Sequence, residues 1–327
     1  MLQFDRIKIR TSFKNIIIPT NNNFIKIVNN EGEVIYTTFS NKIPSLLNMR
    51  IDHRQQTVVL EFTAKILGEQ YPDLISVGTI KSALQQVALR TGCTLNEDGI
   101  LNDAIVLLVD VTKDIPVQMT HELKQELFMS CSNLKKWRVE IHKQNGIEIR
   151  KAVRNKSKCR ERLSLYCKPT EMQRSENKAF LASLDDDSQV LKYFQGRTRI
   201  EYNLTSSHMI KEMLAIENTS LRLVLESAAN PLLNFCRRVF DLDSATEFRP
   251  FKKISEFYIH LLLDKVNDDV RKAEEIIRHF YSPRSNFRNR RRDLVRVRNI
   301  RQSLGSGQTE CAKRNCLEKI IASLEGK

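Results

Sequence analysis

The sequence lacks the patterns that mark several common classes of metal-stabilised or disulfide-stabilised protein. Its seven cysteines are odd in number and show no repeated Cys-x-x-Cys spacing, which argues against a disulfide framework and against a zinc ribbon. Its six histidines form neither a His-Glu-x-x-His nor a His-x-His pair, so a metal site built on paired histidines is not expected. Cysteines without a disulfide framework are typical of a reducing compartment.

Long apolar runs are also missing. No run approaches the roughly 18 residues of a membrane-spanning helix. The N-terminal stretch MLQFDRIKIR has no apolar signal-peptide core. We therefore expect no membrane association and a cytoplasmic location.

What the sequence does have is an excess of positive charge. Its 327 residues include 53 Lys and Arg against 39 Asp and Glu, a formal net charge of +14. An excess of this size attracts polyanions, and nucleic acid is the first partner to consider. The hydrophobic fraction of 41% is sufficient for a folded core.

The hydrophobic pattern predicts an α+β fold. The first 65 residues show β-branched alternation interrupted by turns rich in Asn and Gly, which is typical of antiparallel strands. The other elements predicted before residue 215 are strands at 103–115, 162–168 and 197–204, a hairpin turning at Asn145-Gly146, helices at 77–89, 117–131 and 170–184, and a helix after the strand at 197–204.

After about residue 215 the pattern becomes almost wholly helical. We therefore predict two domains. The first, at 1–215, is an α+β domain with an antiparallel sheet and flanking helices, and the second, at 216–327, is all-helical and rich in arginine.

Two regions are strongly basic. The segment from Lys135 to Lys168 holds twelve Lys and Arg against three Glu, and the stretch SPRSNFRNRRRDLVRVRNIR (282–301) has eight arginines and one acid, Asp293. Arginine suits bidentate contacts with phosphate and guanine. We predict that both regions bind DNA, with a solvated surface as the alternative for each. The predicted DNA contacts in them are Arg150, Arg154, Lys158, Arg288, Arg290, Arg291, Arg292 and Arg296.

Three predicted strands carry residues suited to metal-dependent phosphodiester chemistry, which needs carboxylates for a hard cation and a nucleophile. In LLVDVTKDI, Asp110 ends an apolar run and shares a strand face with Thr112. Burial of its carboxylate calls for a cation or a basic partner. Asp114 lies on the same face or in the following loop, where capping of the next helix is the alternative.

The second of these strands is RTRIEYNL. Its alternation places Arg199, Glu201 and Asn203 on one face. This polar set is either a face that binds metal and phosphate or a structural ion pair, and the strand alone favours neither.

The third is the stretch LSLYCKPTEM, where alternation predicts that Tyr166 and Lys168 share a strand face. A phenol has a pKa of about 10 and attacks phosphorus poorly unless a metal or a lysine helps to remove its proton. Lys168 is placed to supply that cation. Glu171 opens the next helix, where it either orients Lys168 or favours the helix N-terminus. Ordinary sheet packing of the tyrosine is the alternative.

Taken together, these segments resemble one family of replication enzymes. YCKPTEM is similar to the Tyr-x-Lys-x-x-Glu signature of the filamentous-phage gene II/X replication endonucleases, a family of phage and plasmid replication initiators. LLVDVTKDI and RTRIEYNL resemble that family's Arg-Ile-Asp and Arg-Phe-Glu strands, and VVLEFTAKILGEQYPDLIS (58–76) resembles its preceding strand and turn. The four segments occur in the family's order, and the resemblance covers about residues 55–215.

The resemblance implies a site-specific enzyme that nicks and rejoins DNA to start rolling-circle replication, on a fold related to the HUH nickases. The motif tyrosine, here Tyr166, attacks an origin phosphodiester, becomes linked to the 5′ end and leaves a 3′-OH primer. By the same resemblance, Lys168 and Glu171 complete the catalytic motif, and Asp110 and Glu201 bind Mg²⁺ or Mn²⁺. A phosphotyrosine conserves the energy of the broken bond, so no ATP is needed, in keeping with the absence of a Gly-x-x-x-x-Gly-Lys-Ser/Thr loop.

The expected partners are double-stranded origin DNA, single-stranded DNA, and a host helicase and single-strand-binding protein, in the cytoplasm of a bacterial host. The chain departs from the family at Leu108, which stands where the family has an arginine. The phosphate contact is therefore either lost or supplied by Arg199, and His142 is either a further metal ligand or a surface histidine. Two other functions stay open: a non-enzymatic origin-binding initiator or repressor, and a mobilisation relaxase.

Overall fold

The structure of the chain is a computed structural model. It describes residues 2–19, 23–131, 136–142, 145–151 and 161–240, and shorter stretches at 258–259, 262–263, 265–266, 270–279, 292–297 and 317–326. The strands in these ranges are β1 (Phe4–Ser12), β2 (Ile16–Ile17), β3 (Phe24–Val28), β4 (Val34–Phe39), β5 (Leu46–Asp52), β6 (Thr57–Thr63), β7 (Thr94–Leu95), β8 (Ile105–Ile115), β9 (Trp137–His142), β10 (Gly146–Lys151), β11 (Glu161–Cys167) and β12 (Thr198–Leu204). The α-helices are α1 (Ile80–Thr91), α2 (Glu97–Asp103), α3 (His121–Met129), α4 (Lys168–Met172), α5 (Ser175–Leu181), α6 (Asp187–Phe194), α7 (Ser207–Leu214), α8 (Leu221–Glu226), α9 (Pro231–Val239) and α10 (Val270–His279). Two 3₁₀ segments span Phe13–Asn15 and Ala64–Asp73.

Ten of these strands form one sheet in the order β3-β4-β5-β6-β1-β8-β12-β11-β10-β9, and every neighbouring pair is antiparallel. The strands β2 and β7 form a separate two-stranded sheet. Strands β8 and β12 therefore lie near the centre of the large sheet, although more than 80 residues of chain separate them. Residues that are distant in the sequence meet there.

The alternation of β-branched and polar residues gives the large sheet one apolar and one polar face. In β1, Ile7 and Ile9 are fully buried, whereas Lys8 and Arg10 between and beyond them are only half-buried. Successive side chains of a strand point to opposite faces, so this pattern separates the two faces along the whole strand. A hydrophobic core and a charged surface are thus built from the same nine residues.

The apolar face packs against helices α7, α8 and α9. Tyr202 on β12 contacts Phe235 on α9 with ring centroids 4.8 Å apart, and Phe235 also contacts Trp137 on β9 at 5.1 Å. Burial of aromatic side chains of this size stabilises the fold by roughly 2–3 kcal/mol each. Because both rings pack against Phe235, helix α9 holds the strands of Tyr202 and Trp137 in position relative to each other on the apolar face of the sheet.

One end of the polar face is covered by the 3₁₀ segment at Ala64–Asp73 and by α4 to α6. Tyr71 lies there against Phe180 and Phe194, with ring centroids 5.4 Å away in both cases. All three rings are fully buried or nearly so. A small aromatic cluster therefore closes this end of the face, next to the residues that the sequence motifs singled out.

The chain divides into two compact units, Met1–Asp241 with Lys319–Lys327 and Leu242–Glu318. Helices α8 and α9 belong to the first unit because their apolar residues pack on the sheet, so the predicted domain boundary at residue 215 lies within that unit. In the second unit, Ala273 and Ile277 of α10 pack in a cluster with Ile259, Leu263 and Val297. Val297 belongs to the arginine-rich stretch at 282–301, and Leu294 of the same stretch packs against this cluster, so part of the stretch contributes to the core of the second unit.

The predicted α+β fold with a large antiparallel sheet is confirmed. The hairpin predicted around Asn145-Gly146 is formed by β9 and β10. Strands β5 and β7 and helices α2 and α6 were not predicted, and the helix predicted at 170–184 consists of α4 and α5. None of the helices in the described ranges has the length and apolar composition of a membrane span. The HUH-nickase-like architecture and the all-helical C-terminal domain stay predictions.

Candidate active site

The three motif strands lie side by side at the centre of the polar face. Strand β12 pairs with β11 on one side and β8 on the other, so the motif residues form three rows across the sheet. The rows are Tyr166–Arg199–Asp114, Ser164–Glu201–Thr112 and Arg162–Asn203–Asp110. Tyr166 and Asp110 are therefore diagonal neighbours of Glu201 on opposite sides, and diagonal neighbours on a sheet are within reach of long side chains.

Tyr166 and Glu201 are joined by a short hydrogen bond. The Tyr166 hydroxyl donates to Oε1 of Glu201 at 2.5 Å. Burial raises the pKa of the Glu201 carboxyl to about 7; the nearby Asp5 carboxylate raises it further, and Arg199 and Lys168 oppose the shift. Burial also raises the pKa of the Tyr166 phenol well above its usual value, and the Glu201 charge adds to this effect. Glu201 is thus an acceptor for the phenol proton, with a pKa suited to proton transfer near neutral pH.

Gly146 allows strand β10 to approach the backbone of Tyr166. It pairs with Tyr166 in the sheet register and has a φ of 157°. A Cβ atom at this position would lie 2.7 Å from the Tyr166 Cα, closer than real Cβ contacts allow. Any other residue here would push β10 away from β11, so the glycine of the hairpin also shapes the surroundings of the tyrosine.

The sequence predicted that Lys168 shares a strand face with Tyr166. In the structure Lys168 lies next to Tyr166 but is not part of the strand. Strand β11 ends at Cys167, and Lys168 is the first residue of α4, with Pro169 behind it. Proline cannot donate to a strand ladder and favours the first turn of a helix, which explains the change. The Lys168 ammonium is buried 5.6 Å from the centre of the Tyr166 ring, with the rings of Tyr71 and Phe194 at 5.1 and 5.7 Å.

Glu171 holds the Lys168 ammonium in place. Its Oε2 accepts a hydrogen bond from Nζ of Lys168 at 2.6 Å, one helical turn away. Burial alone would raise the pKa of Glu171, but the charges of Lys168 and Lys65 and the hydrogen bonds from Lys168 and Asn177 lower it to about 2. Of the two readings of Glu171 that the sequence left open, orientation of Lys168 is the one that this contact supports.

Arg199 does not lie where it can contact DNA, and the prediction that it does is wrong. Its side chain is fully buried. The guanidinium donates to both Asp114 carboxylate oxygens at 2.7 Å, to Asp5 at 2.9 Å and to the Tyr71 hydroxyl at 2.6 Å. Of the alternatives given for its strand, the structural ion pair applies to Arg199, and Asp114 is its partner and not a helix cap. The reason is that β8 presents Asp114 directly opposite Arg199 in the register.

Asp110 is the second buried carboxylate of the face. It accepts a hydrogen bond from Nδ2 of Asn203, its partner across the strand pair. Burial raises the pKa of its carboxyl to about 6, although the Asn203 hydrogen bond and the Arg6 charge lower it. In the register Arg6 is its neighbour on β1, but the Arg6 guanidinium is hydrogen-bonded to Glu61. The sequence predicted a cation or a basic partner for Asp110, and the hydrogen-bond partner in the structure is the amide of Asn203.

Asp110 and Glu201 are suited to a hard divalent cation. Burial raises the pKa of the two carboxyls to about 6 and 7, and the cations near them only partly offset this shift, so a bound divalent cation would stabilise their charged forms. Within the described ranges no group of three or more His, Cys, Asp or Glu residues is arranged to hold a metal ion. A two-carboxylate site still suits Mg²⁺, which usually keeps several waters and binds through one or two carboxylates.

Tyr166 and Glu201 line an open cleft of about 400 Å³ between the polar face and α4. Its wall also contains His142, Arg162 and Arg174. The side chain of Arg162 is half exposed, and Arg174 lies at an exposed position. These two arginines were missed by the sequence reasoning, although Arg162 has the same strand parity as Tyr166, a signal that could have found it.

The other predicted DNA contacts differ in accessibility. Arg150 has a side chain only 16% exposed and is bound to Glu140 and Glu148, so it is less available than the sequence suggested. In the second unit, Arg292 and Arg296 both pair with Asp293, with side chains 59% and 25% exposed. The predicted contacts that lie outside the described residues are Arg154, Lys158, Arg288, Arg290 and Arg291.

Replacing Glu201 by glutamine is expected to stabilise the protein at pH 8 but not at pH 4.5. Folding raises the pKa of this carboxyl from 4.5 to about 7, so its contribution to stability is complete below pH 4.5 and is lost as the pH rises through 7. The loss amounts to at most about 3 kcal/mol. Urea unfolding in EDTA at the two pH values measures it. Glu217→Gln, at an exposed position, is the control, and a difference that does not change with pH would contradict the expectation.

Of the motif residues, Tyr166, Glu171 and Glu201 line one cleft, Asp110 shares the sheet face of Glu201, and Lys168 and Arg199 are buried. No protein-family model and no curated protein matches this chain, so the resemblance to the gene II/X endonucleases rests on the four motifs themselves.

Proposed function

We propose that the protein is a metal-dependent DNA nicking and joining enzyme that starts rolling-circle replication of a phage or plasmid, with Tyr166 as the nucleophile. The observation that carries the proposal is the 2.5 Å hydrogen bond from the Tyr166 hydroxyl to Glu201, in the wall of an open cleft. A buried tyrosine hydroxyl usually finds a hydrogen-bond partner, as that of Tyr202 does at Glu161. At Tyr166 the pair lines an open cleft that a substrate can enter, and the carboxylate lies at the distance that a nucleophile needs from its base.

In the proposed reaction the Tyr166 oxygen attacks the phosphorus of a DNA phosphodiester while its proton passes to Glu201. The bond between phosphorus and the 3′ oxygen breaks, and that oxygen takes up a proton from water to become a 3′-OH. The 5′ phosphate remains bonded to Tyr166. Attack by a 3′-OH on this phosphotyrosine reverses the step and rejoins the strand, so bonds and protons balance without ATP.

Lys168 supports this step electrostatically. Its ammonium lies 5.6 Å from the centre of the Tyr166 ring, and Glu171 fixes its position. Burial lowers the pKa of Lys168 and the Arg199 charge lowers it further, while Glu171 opposes the shift. A fixed cation beside the ring stabilises the negative charge that develops on the phenol oxygen.

Asp110 and Glu201 are the residues that would hold Mg²⁺ or Mn²⁺. Bound there, the metal would act as a Lewis acid on a phosphoryl oxygen. Asn203 follows Glu201 by two residues on β12 and donates a hydrogen bond to Asp110. Independently of the metal, β12 therefore fixes the position of Asp110 relative to Glu201. His142, in the wall of the same cleft, is a further candidate ligand.

The cleft would receive single-stranded DNA. Arg162 and Arg174 provide positive charge at its wall and are suited to phosphate contacts. Duplex origin DNA would be bound by the arginine-rich segment at 282–301, and a host helicase and single-strand-binding protein would act with the enzyme in the bacterial cytoplasm. A mobilisation relaxase would use the same chemistry and differs in nicking a transfer origin.

A non-enzymatic origin-binding initiator or repressor is the second candidate. It is favoured by the pKa of Tyr166, which burial and the Glu201 charge raise well above its usual value, so that the phenol holds its proton firmly. On this view Tyr166 and Glu201 form a structural hydrogen bond and only the basic surfaces function.

The proposal is tested by trapping the covalent intermediate. The protein is incubated with a pool of single-stranded oligonucleotides of randomised sequence and Mg²⁺ or Mn²⁺, and DNA that remains attached in SDS is recovered and sequenced. We expect a common sequence at the linked 5′ end and a phosphotyrosine at Tyr166 in the peptide map. Binding of the pool without any linked DNA at either metal favours the non-enzymatic candidate, and linkage at another residue contradicts the proposed site.

A further inference from the structure

A second basic cavity lies on the polar face of the sheet, away from the Tyr166 cleft. It has a volume of about 260 Å³, and its walls come from β1, β5 and β6. Lys8 and Arg10 of β1 face Asn48 and Arg50 of β5 across it. No sequence motif pointed to this cavity, and the proposed chemistry does not use it.

The register aligns two of these arginines in one row. Arg10 pairs with Val59, and Val59 pairs with Arg50 on its other side. Two strand spacings of about 4.8 Å place the two Cα atoms roughly 10 Å apart. Val59 is half-buried between them. The floor between the two guanidinium groups is therefore apolar, with a cation on each side.

These two arginines have no counter-ion within the described part of the chain. The side chain of Arg10 takes part in no ion pair or hydrogen bond there, and that of Arg50 only stacks on the ring of Tyr36, 4.8 Å from its centre. Lys8 differs from them because it is paired with Glu61 at 3.0 Å. Two guanidinium groups without a carboxylate partner are suited to bind the oxygens of phosphates.

The lining of the cavity holds three cations, Lys8, Arg10 and Arg50, against one acid. Asp52 lines the same cavity, but its Oδ1 accepts hydrogen bonds from the backbone amides of Arg54 and Gln55 at 3.0 and 2.9 Å. That carboxylate therefore serves the turn between β5 and β6. The cavity as a whole keeps an excess of positive charge.

Surfaces for stacking lie beside the cations. Tyr36 on β4 is half-buried beneath Arg50. Its register partner on β3 is Ile27, which with Ile25 is among the exposed large hydrophobic residues, at 48% and 58%. Nucleic acid single strands combine phosphates with bases whose faces are free to stack on aromatic and apolar side chains, whereas a duplex hides those faces.

We propose that Arg10, Arg50 and Tyr36 form a binding site for single-stranded DNA. The site deepens the proposed function, because it extends the same sheet face by which Tyr166 would act. Arg6 and Lys8, both bound to Glu61, connect the two regions along β1. The arginines contact phosphates, and Tyr36 supports an unstacked base.

The test is the affinity for a fluorescent 20-nucleotide oligo-dT, measured by anisotropy in EDTA at several salt concentrations. The Arg10→Ala, Arg50→Ala double variant is compared with Lys211→Ala, Arg222→Ala, which removes two exposed charges from α7 and α8 behind the sheet. We expect the first to weaken binding about tenfold or more, and to lower the slope of log K against log salt by about 1.4, or two phosphates at 0.7 each. Loss equal to that of the control overturns the proposal.

Two further arms complete the test. An equal loss on a 20-base-pair duplex would assign the surface to double-stranded DNA and overturn the single-strand assignment. Oligo-dT with one 5-iodouracil is expected to crosslink to Tyr36. This experiment uses the unmodified protein, so it does not depend on the folding of a variant. A crosslink map without any peptide of β4 or β5 counts against the proposal. Binding and crosslinking are measured in EDTA, where the proposed metal-dependent cleavage does not take place. If Tyr166→Phe still nicks DNA, the proposed function is wrong but the binding results are unaffected, so the two proposals fail separately.

Discussion

Replacing Tyr166 by phenylalanine is expected to abolish the covalent adduct and to lower the nicking rate by at least about 10³-fold. Phenylalanine keeps the ring that packs beside Lys168 and removes only the hydroxyl that donates to Glu201. The fold should therefore persist while the nucleophile is absent. The measurement is the initial rate of strand scission on an oligonucleotide recovered from the trapping experiment, with Mg²⁺ or Mn²⁺.

The control for this change is Tyr193→Phe. Tyr193 lies at the end of α6, where its ring packs against Phe194 and under Arg197. The Tyr193→Phe change also removes a phenol oxygen but does not affect the motif strands. The nicking rate of this variant should therefore stay within about twofold of the wild type. Scission by Tyr166→Phe at the wild-type rate would remove the phenol from the mechanism. A thermal melt of both variants separates loss of chemistry from loss of folding.

Replacing Arg199 by methionine is expected to lower the free energy of unfolding by about 3–5 kcal/mol, the largest stability effect predicted for this chain. Methionine fills much of the volume but leaves Asp114 and Asp5 as buried or partly buried carboxylates without their cation. An uncompensated buried charge is what makes the loss of one partner so costly. Urea unfolding at pH 7 followed by circular dichroism measures the change.

The matched control is Arg162→Met, one strand away. The Arg162 side chain is 50% exposed and lies 3.8 Å from Glu148, so removal of its charge should cost no more than about 1 kcal/mol. If Arg199→Met costs no more than this control, the four hydrogen bonds of Arg199 do not hold β12, β8 and the N-terminal strand together as described. The Asp114→Asn, Arg199→Met double variant should recover part of the loss, because it removes the stranded charge.

The placement of the candidate site was largely readable from local alternation. A strand turns successive side chains to opposite faces, so RTRIEYNL determined that Glu201 and Asn203 share a face whatever the neighbours are. The same rule placed Asp110 with Thr112. The rule failed at Lys168, where Pro169 ended the strand and began a helix, yet the lysine still reached Tyr166 from there.

The roles of the arginines were not readable in this way. Arg199 and Arg162 lie on the same polar sheet face, on the neighbouring strands β12 and β11. Nothing in their own segments distinguishes a buried ion pair from an exposed cation. The difference comes from partners far along the chain: Asp5 is separated from Arg199 by 194 positions, and Tyr71 by 128. Similarly, Arg10 and Arg50 become a pair only because β6 aligns them on either side of Val59.

The sequence by itself thus determined the class of fold, the strands that carry the motifs and which residues share a face within each of these strands, because each of these follows from the periodicity of a single segment. Only the tertiary structure decided which charges are neutralised and which remain open to a ligand. That outcome depends on strand order and register, and these bring together residues whose separation along the chain leaves no local pattern to detect.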